Sequence, residues 1–400
     1  MRACLPRSAL LGLCLGLGMV AGLLAPAPVL AAENLRLSGF GTLGVVYNDE
    51  NDVDFVRDLT QPRGADKGFS GRPDSMLGGQ ISYRIRPQLD AVGQALVRYS
   101  FKDDYRPQLT WAYLRYAPSP EHELRLGRVS WDVFMFSDAR NVGYSHLWAR
   151  PPIEYFGLQP LSHIDGADWV YRRPLGPGLF WAGLYAGRAD EEIPVAGGPN
   201  YDLAGMPVGG GHVNFQTRHW WFRASASMGQ FKNESERLKP LLQALRAGGN
   251  PLAGRLQLED ARIRLLSLGA VLDQGPLQGQ MMLTRSITDT LTLPSYHSGY
   301  ALLGYRLGSW TPYASFAAIQ SGPAPVTGVP QANALLRTVQ TNQRTAAVGL
   351  RYELLNNVAL KFQAERLKAE DPVANRLVRD PQPGWDGRVV LFSTMLDFVF

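Results

Sequence analysis

The densest run of chemically capable side chains lies between residues 132 and 164. It holds Asp132, Asp138, Arg140, His146, Arg150, Glu154 and His163, and Asp165 and Asp168 follow at its exit. Carboxylates and guanidinium groups held across a narrow wet passage set which ions pass: rings of Arg or Lys favour anions, rings of Asp or Glu favour cations. A connection of this length is usually functional or disordered. Phe134, Phe136, Tyr144, Trp148, Tyr155 and Phe156 argue for packing. Other chemistry finds less support. His163, Asp165 and Asp168 have a spacing common by chance, so a polar loop is expected there and not a metal site. Asp190-Glu191-Glu192 reads as a solvated charge run in preference to a calcium loop. The chain has only six histidines, His122, His146, His163, His212, His219 and His297. It contains no Gly-x-Ser-x-Gly elbow, no His-Glu-x-x-His and no phosphate-binding glycine loop. The expectation is a chain that is not an enzyme and carries no cofactor and no metal.

The elements that must position these residues alternate with period two, the mark of strands with two unlike faces. In Val390, Phe392, Thr394, Leu396, Phe398 and Phe400 five of six alternate residues are apolar, and the other register holds Ser393 and Asp397 together with Val389, Leu391, Met395 and Val399. Val358, Leu360, Phe362 and Ala364 alternate with Ala359, Lys361, Gln363 and Glu365. About sixteen such segments run from 35–48 to 387–400, each near the roughly 9–11 residues that a tilted membrane-spanning strand needs. Tight turns at Arg86-Pro87-Gln88, Pro118-Ser119-Pro120, Pro174–Pro177, Thr217-Arg218, Gln274-Gly275, Gly308 and Asn356 alternate with long links at 49–73, 132–164, 189–206, 232–258, 321–341 and 369–386. Short turns on one side and long loops on the other describe a closed antiparallel transmembrane β-barrel, all-β, with short periplasmic turns and long extracellular loops. Tyr47, Tyr83, Tyr116, Trp169, Trp220, Trp221, Tyr305, Trp310 and Tyr352 fall near strand ends, where interfacial belts place such rings. Leu238, Leu241, Leu242 and Leu245 have helical spacing, stopped by Gly248-Gly249, within one long loop.

Composition agrees. The 400 residues are 45% hydrophobic and 19% charged, with mean hydropathy −0.14, which fits neither a disordered chain nor a polytopic helical one. The longest uncharged stretch after the N-terminal region, Leu307–Leu336, contains four prolines and cannot be a spanning helix. Lipid admits only helices or closed barrels, so a membrane location requires a barrel. Arg2 and Arg7, an apolar run from Ala9 to Ala25, and Val29-Leu30-Ala31 are ordered as a secretory signal. Residues 1–31 are expected to be removed, leaving the barrel over 32–400. Both cysteines, Cys4 and Cys14, fall within the leader, so no disulfide is expected. Loss of the leader takes the net charge from +5 to +3. The basic residues are spread along strands, so no nucleic-acid partner is expected.

The segment Leu35-Arg36-Leu37-Ser38-Gly39-Phe40-Gly41-Thr42-Leu43-Gly44 resembles the first strand of Gram-negative general porins. The terminal Phe400, with Phe398 and Leu396 before it in the same register, resembles the assembly signal of outer-membrane barrels. Ile153-Glu154-Tyr155-Phe156-Gly157 is similar to the Pro-Glu-Phe-Gly segment of the porin constriction loop, with Tyr155 inserted. The resemblance implies a sixteen-stranded, usually trimeric channel in the outer membrane whose third loop folds into the lumen, with the assembly machinery as partner to the last strand.

The expected function is a water-filled channel for passive diffusion of small hydrophilic solutes. Asp138, Arg140, Arg150 and Glu154 are the expected constriction residues within 132–164. Arg84, Arg98, Arg125, Arg223, Arg351 and Lys361 are the expected wall residues, because a charge facing lipid at mid-depth costs about 2–4 kcal/mol and a mid-strand Arg therefore points inward. Their excess over carboxylates suggests a mild anion preference. The rival readings are an outer-membrane hydrolase and a plugged structural or adhesive barrel.

Overall fold

The computed structural model describes residues 34–159, 161–195, 199–370, 377–379 and 381–400. The leader at 1–31 lies outside the described residues. Sixteen strands form the ring: β1 Leu35–Asn48, β2 Met76–Arg86, β3 Leu89–Tyr99, β4 Tyr105–Tyr116, β5 His122–Ser130, β6 His163–Leu175, β7 Gly178–Arg188, β8 Pro207–Gln216, β9 Trp220–Gln230, β10 Arg262–Gln274, β11 Leu277–Thr288, β12 Tyr296–Tyr305, β13 Trp310–Ser321, β14 Asn342–Leu355, β15 Val358–Ala369 and β16 Arg388–Val399. Each pairs antiparallel with its sequence neighbour, and β1 pairs with β16 to close the ring. Among the described residues no helix is long and apolar enough to cross a membrane.

The period-two pattern decides the facing. Leu43, Val45, Leu77, Ile81, Leu124, Leu126, Leu268, Met281, Leu303, Phe316, Val348 and Phe392 project outward and are exposed. Such a band of large apolar side chains suits lipid and not water. The polar register turns inward. Gly176, Gly275 and Gly308 give the tight turns the positive φ (55°, 59° and 62°) that a side chain would resist.

The closing seam depends on two more glycines. The backbones of Gly39 and Phe400 exchange hydrogen bonds of 2.9 and 3.0 Å. A Cβ on Gly39 would lie 2.3 Å from Cζ of Phe400, and one on Gly41 would lie 2.4 Å from Cζ of Phe398. The two terminal rings therefore lie flat over bare backbone on the outer face.

Several expectations change. Trp221 is not in an interfacial belt: it faces the lumen, where Nε1 donates to Asn214 Oδ1 at 3.1 Å. The leucine-rich loop does form a helix, Lys239–Ala247, with Leu242 and Leu245 buried. A further helix, Pro330–Thr338, lies in a loop that reads from its Gly and Pro content as irregular. Loop 49–75 carries a strand pair with the chain after β15, Asp54–Phe55 against Val378–Arg379.

Candidate functional site

The long connection between β5 and β6, residues 131–162, turns into the barrel and is held by inward side chains on the opposite side of the ring. Lys361 on β15 donates to the carbonyls of Gly143 and Trp148 at 2.7 and 2.9 Å, and Arg351 on β14 donates to those of Tyr144 and His146 at 2.7 and 2.6 Å. Arg150 reaches the other way. It pairs with Asp74 at 2.9 Å and binds Glu365 on β15 and Ser393 on β16. Glu154 accepts from Gln343 at 2.7 Å and from Thr345, both on β14. Nearer its start, Arg223 on β9 donates to the Asp132 carbonyl at 2.7 Å and its carboxylate at 2.8 Å, and Ser225 donates to the Val133 carbonyl at 2.6 Å.

Apolar packing adds to these bonds. Phe134, Trp148, Tyr155 and Phe156 are buried against Met282, Tyr300, Leu302 and Tyr313, inward residues of β11–β13. The Phe134 and Tyr155 rings have centroids 4.8 Å apart, and Trp148 meets Tyr300 at 5.5 Å. His146 stacks on Trp148 at 4.6 Å, and burial pushes its pKa down to about 3, so it is a neutral ring. Close packing of this kind fixes a loop in one place, because aromatic burial and polar bonds act on the same short segment.

The wall at β4–β6 is left uncovered. Trp111, Tyr113, Arg115, Glu123, Arg125 and Arg172 face inward and stay partly exposed. Their charges are interleaved: Arg115 bonds Asp90 at 2.8 Å and Glu123 at 3.0 Å, and Arg125 pairs with Asp168 at 2.7 Å. Above them, a cavity of about 410 Å³ lies between Asn141 on the inserted loop and Leu96, Arg98 and Thr110 on β3 and β4. Asp190, Glu191, Glu192 and Asp202 also line it. Its two arginines are already engaged, Arg98 with Asp58 at 2.7 Å and Arg128 with Asp165 and Asp190 at 2.7 and 3.0 Å.

Of the four expected constriction residues, Asp138 alone is exposed; Arg140, Arg150 and Glu154 are buried. Arg140 donates to the carbonyls of Gln159 and Leu161 at 3.3 and 3.0 Å, so it closes the loop on itself. Enclosure in the barrel and the neighbouring Asp132 carboxylate raise the Asp138 pKa. The expected wall residues Arg98, Arg125, Arg223, Arg351 and Lys361 do point inward, and each is bonded to a carboxylate or to loop carbonyls. Arg84 lies at the turn end of β2, exposed, with Asp90 at 3.8 Å. Phe400, Phe398 and Leu396 share the outward register beside β1. Sequence reasoning missed Asp58 and Asp74, the loop 49–75 carboxylates that hold Arg98 and Arg150. Nothing in their local sequence distinguishes them from solvated acids. Among the described residues no group of three or more His, Cys, Asp or Glu could hold a metal.

A closed ring of sixteen antiparallel strands is shared with solved structures. The fold is that of the sixteen-stranded porins. An anion-selective porin from Comamonas acidovorans matches at TM-score 0.56 and 15% identity, covering 92% of this chain and 99% of that one. The outer-membrane channel DcaP of Acinetobacter baumannii matches at 0.56 and 12%, with 92% and 99% covered. OmpF of Salmonella typhi, solved in complex with daunomycin, matches at 0.54 and 12%, with 92% and 98% covered. No family model matches the sequence, and no curated relative does. The likeness to porins thus lies in the barrel fold, not in residue identity.

Proposed function

We propose that the chain is an outer-membrane porin, a water-filled channel through which small hydrophilic solutes diffuse, with loop 132–164 narrowing the lumen. The observation that carries this reading is one-sided packing: the inserted loop covers the β10–β16 wall and leaves the polar β4–β6 wall uncovered. Removal of residues 1–31 and assembly as a homotrimer belong to the same reading. Single-channel recording in planar bilayers tests it. Discrete ohmic steps are expected, with larger steps when residues 137–147 are deleted. A folded barrel that passes no current would overturn it in favour of a plugged structural barrel.

In place of the expected anion preference we infer a weak cation preference, supported by the ion pairs of the basic wall residues Arg98, Arg125, Arg223, Lys361 and Arg351 with Asp58, Asp168, Asp132, Asp397 and Glu353. The free charge on the loop is Asp138, and the cavity above carries four carboxylates against two paired arginines. A weak preference for cations follows, limited by screening over roughly 10 Å at 0.1 M salt.

A further inference from the structure

The outer face of the barrel has an unusual arc at the long-loop end of β10–β16. In the outward register there, Arg344 on β14 lies directly opposite Lys368 on β15, and Lys368 lies directly opposite Arg388 on β16. Arg366 lies diagonal to Arg344, because it opposes Ala346. Directly opposed residues bring their Cβ atoms to about 4.5–5.5 Å, and like charges so placed repel. Arg344, Arg366 and Arg388 are exposed and Lys368 is half-buried. Among the described residues one acid answers them in an ion pair, Asp386, at 3.7 Å from Arg388. The arc continues on β10 and β11 with Arg264 and Arg285, both exposed and outward.

The remaining circumference is different. Outward arginines there meet acids: Arg188 lies directly opposite Asp165, and Arg128, at the rim where the cavity reaches the wall, is bidentate with that same Asp165. The unmatched arc sits just above the apolar band, since Val348, Phe362 and Phe392 follow on the same strands toward the turn end. That height is the interface between acyl chains and head groups. A row of uncompensated cations at this depth is stable when an anion completes it, and guanidinium forks fit phosphate oxygens with paired hydrogen bonds.

We propose that the arc on β14–β16, extended by β10 and β11, seats the phosphate groups of a phosphorylated outer-leaflet lipid. The inference assumes that the long-loop end faces the outer leaflet, and it is otherwise independent of conduction. The aligned rungs on three adjacent strands give the head group a fixed register on the wall, and the apolar band below takes its acyl chains.

The test uses the full-length protein in detergent with diphosphoryl lipid A, its dephosphorylated form, and inorganic phosphate as probes. The diphosphoryl form should bind and raise the melting temperature; the dephosphorylated form and free phosphate should not. Arg344→Gln with Arg388→Gln should weaken binding by about tenfold or more, since each lost charge-assisted contact is among the stronger kinds. Arg188→Gln, outward on β7 opposite Asp165, should leave it unchanged. Heat-modifiable migration on gels verifies that each variant is folded, and Arg366→Gln gives an independent second variant. Equal binding of the dephosphorylated lipid, or unchanged affinity in both folded variants, would overturn the proposal. Free phosphate binding as tightly as the lipid would overturn the lipid assignment. A protein that binds the lipid but conducts no ions would leave this seat standing and remove the channel reading instead.

Discussion

Lys361 and Asp397 form an ion pair of 2.8 Å between the last two strands, with both side chains fully buried. The same ammonium donates to two carbonyls of the inserted loop, and Thr42 on β1 donates to Asp397 at 2.5 Å. One buried cluster therefore joins the loop, the closing strand and the first strand.

Replacing Lys361 with Met should be costly. Removal of one partner from a buried pair costs about 3–5 kcal/mol, because the other charge is left unanswered. Lys361→Met should lower the thermal unfolding midpoint and release the loop near Gly143, seen as larger and noisier single-channel steps. Lys361→Met with Asp397→Leu should recover much of the stability but not the loop anchoring. A single variant as stable as the wild type would contradict the role assigned to the pair.

The seam gives a second test. Gly39→Ala places a methyl group where the Phe400 ring lies, and that ring must move or the strand pairing must open. The folded, heat-modifiable fraction after refolding should fall, as it should on deletion of Phe400. Gly79→Ala on β2, whose added Cβ meets nothing within 4 Å, is the control and should fold normally.

Reversal potentials across a salt gradient test the sign of selectivity. The wild type should favour cations weakly. Asp138→Asn should shift the reversal potential toward anions, and Arg125→Glu should shift it toward cations. An anion-selective wild type would show that the paired arginines still dominate the field in the lumen.

Asp58 and Glu154 should contribute to stability in opposite pH ranges. Burial pushes the Asp58 carboxyl up, but Arg98 and Thr60 more than offset this and hold it below the usual carboxylate range. Its contribution is present above about pH 4 and is lost as pH falls toward the depressed value, so acid should loosen loop 49–75. Glu154 is shifted the other way, upward by burial, so the folded state favours its protonated form. Its contribution is present in acid and is lost as pH rises through the raised value. Hydrogen exchange between pH 3 and pH 8 should show loop 49–75 loosening in acid. In loop 132–164 the buried neutral His146 also disfavours acid, so the Glu154 contribution is read as the difference between wild type and Glu154→Gln: the variant should lose the part of the protection that falls as pH rises.

The barrel was legible because lipid on one side and water or loop on the other impose period two on every strand, and the leucine spacing of 238–245 marked its helix. The helix at Pro330–Thr338 escaped because its opening proline and nearby glycines mimic an irregular link. Trp221 was misplaced because a Trp at a strand end reads the same whether it faces lipid or lumen. In the site, the sequence showed which residues carry charge but not which carry it toward solvent. Arg150 and Glu365 are 215 positions apart, and Glu154 and Thr345 are 191 apart. Such partners are set by ring closure, which no local window contains. Hence Arg150 and Glu154 read as groups facing solutes, whereas the structure uses them as fasteners.

The inserted loop leaves one side of the ring at β5 and β6 and is fastened to the other at β14–β16. An empty tube of this circumference can flatten when the surrounding bilayer presses on it. A strut across the diameter resists that deformation, and the aperture beside it keeps its area. Conductance should then vary little with bilayer thickness or lateral pressure while the fastenings hold, and should become sensitive to both once Arg150 or Lys361 is removed.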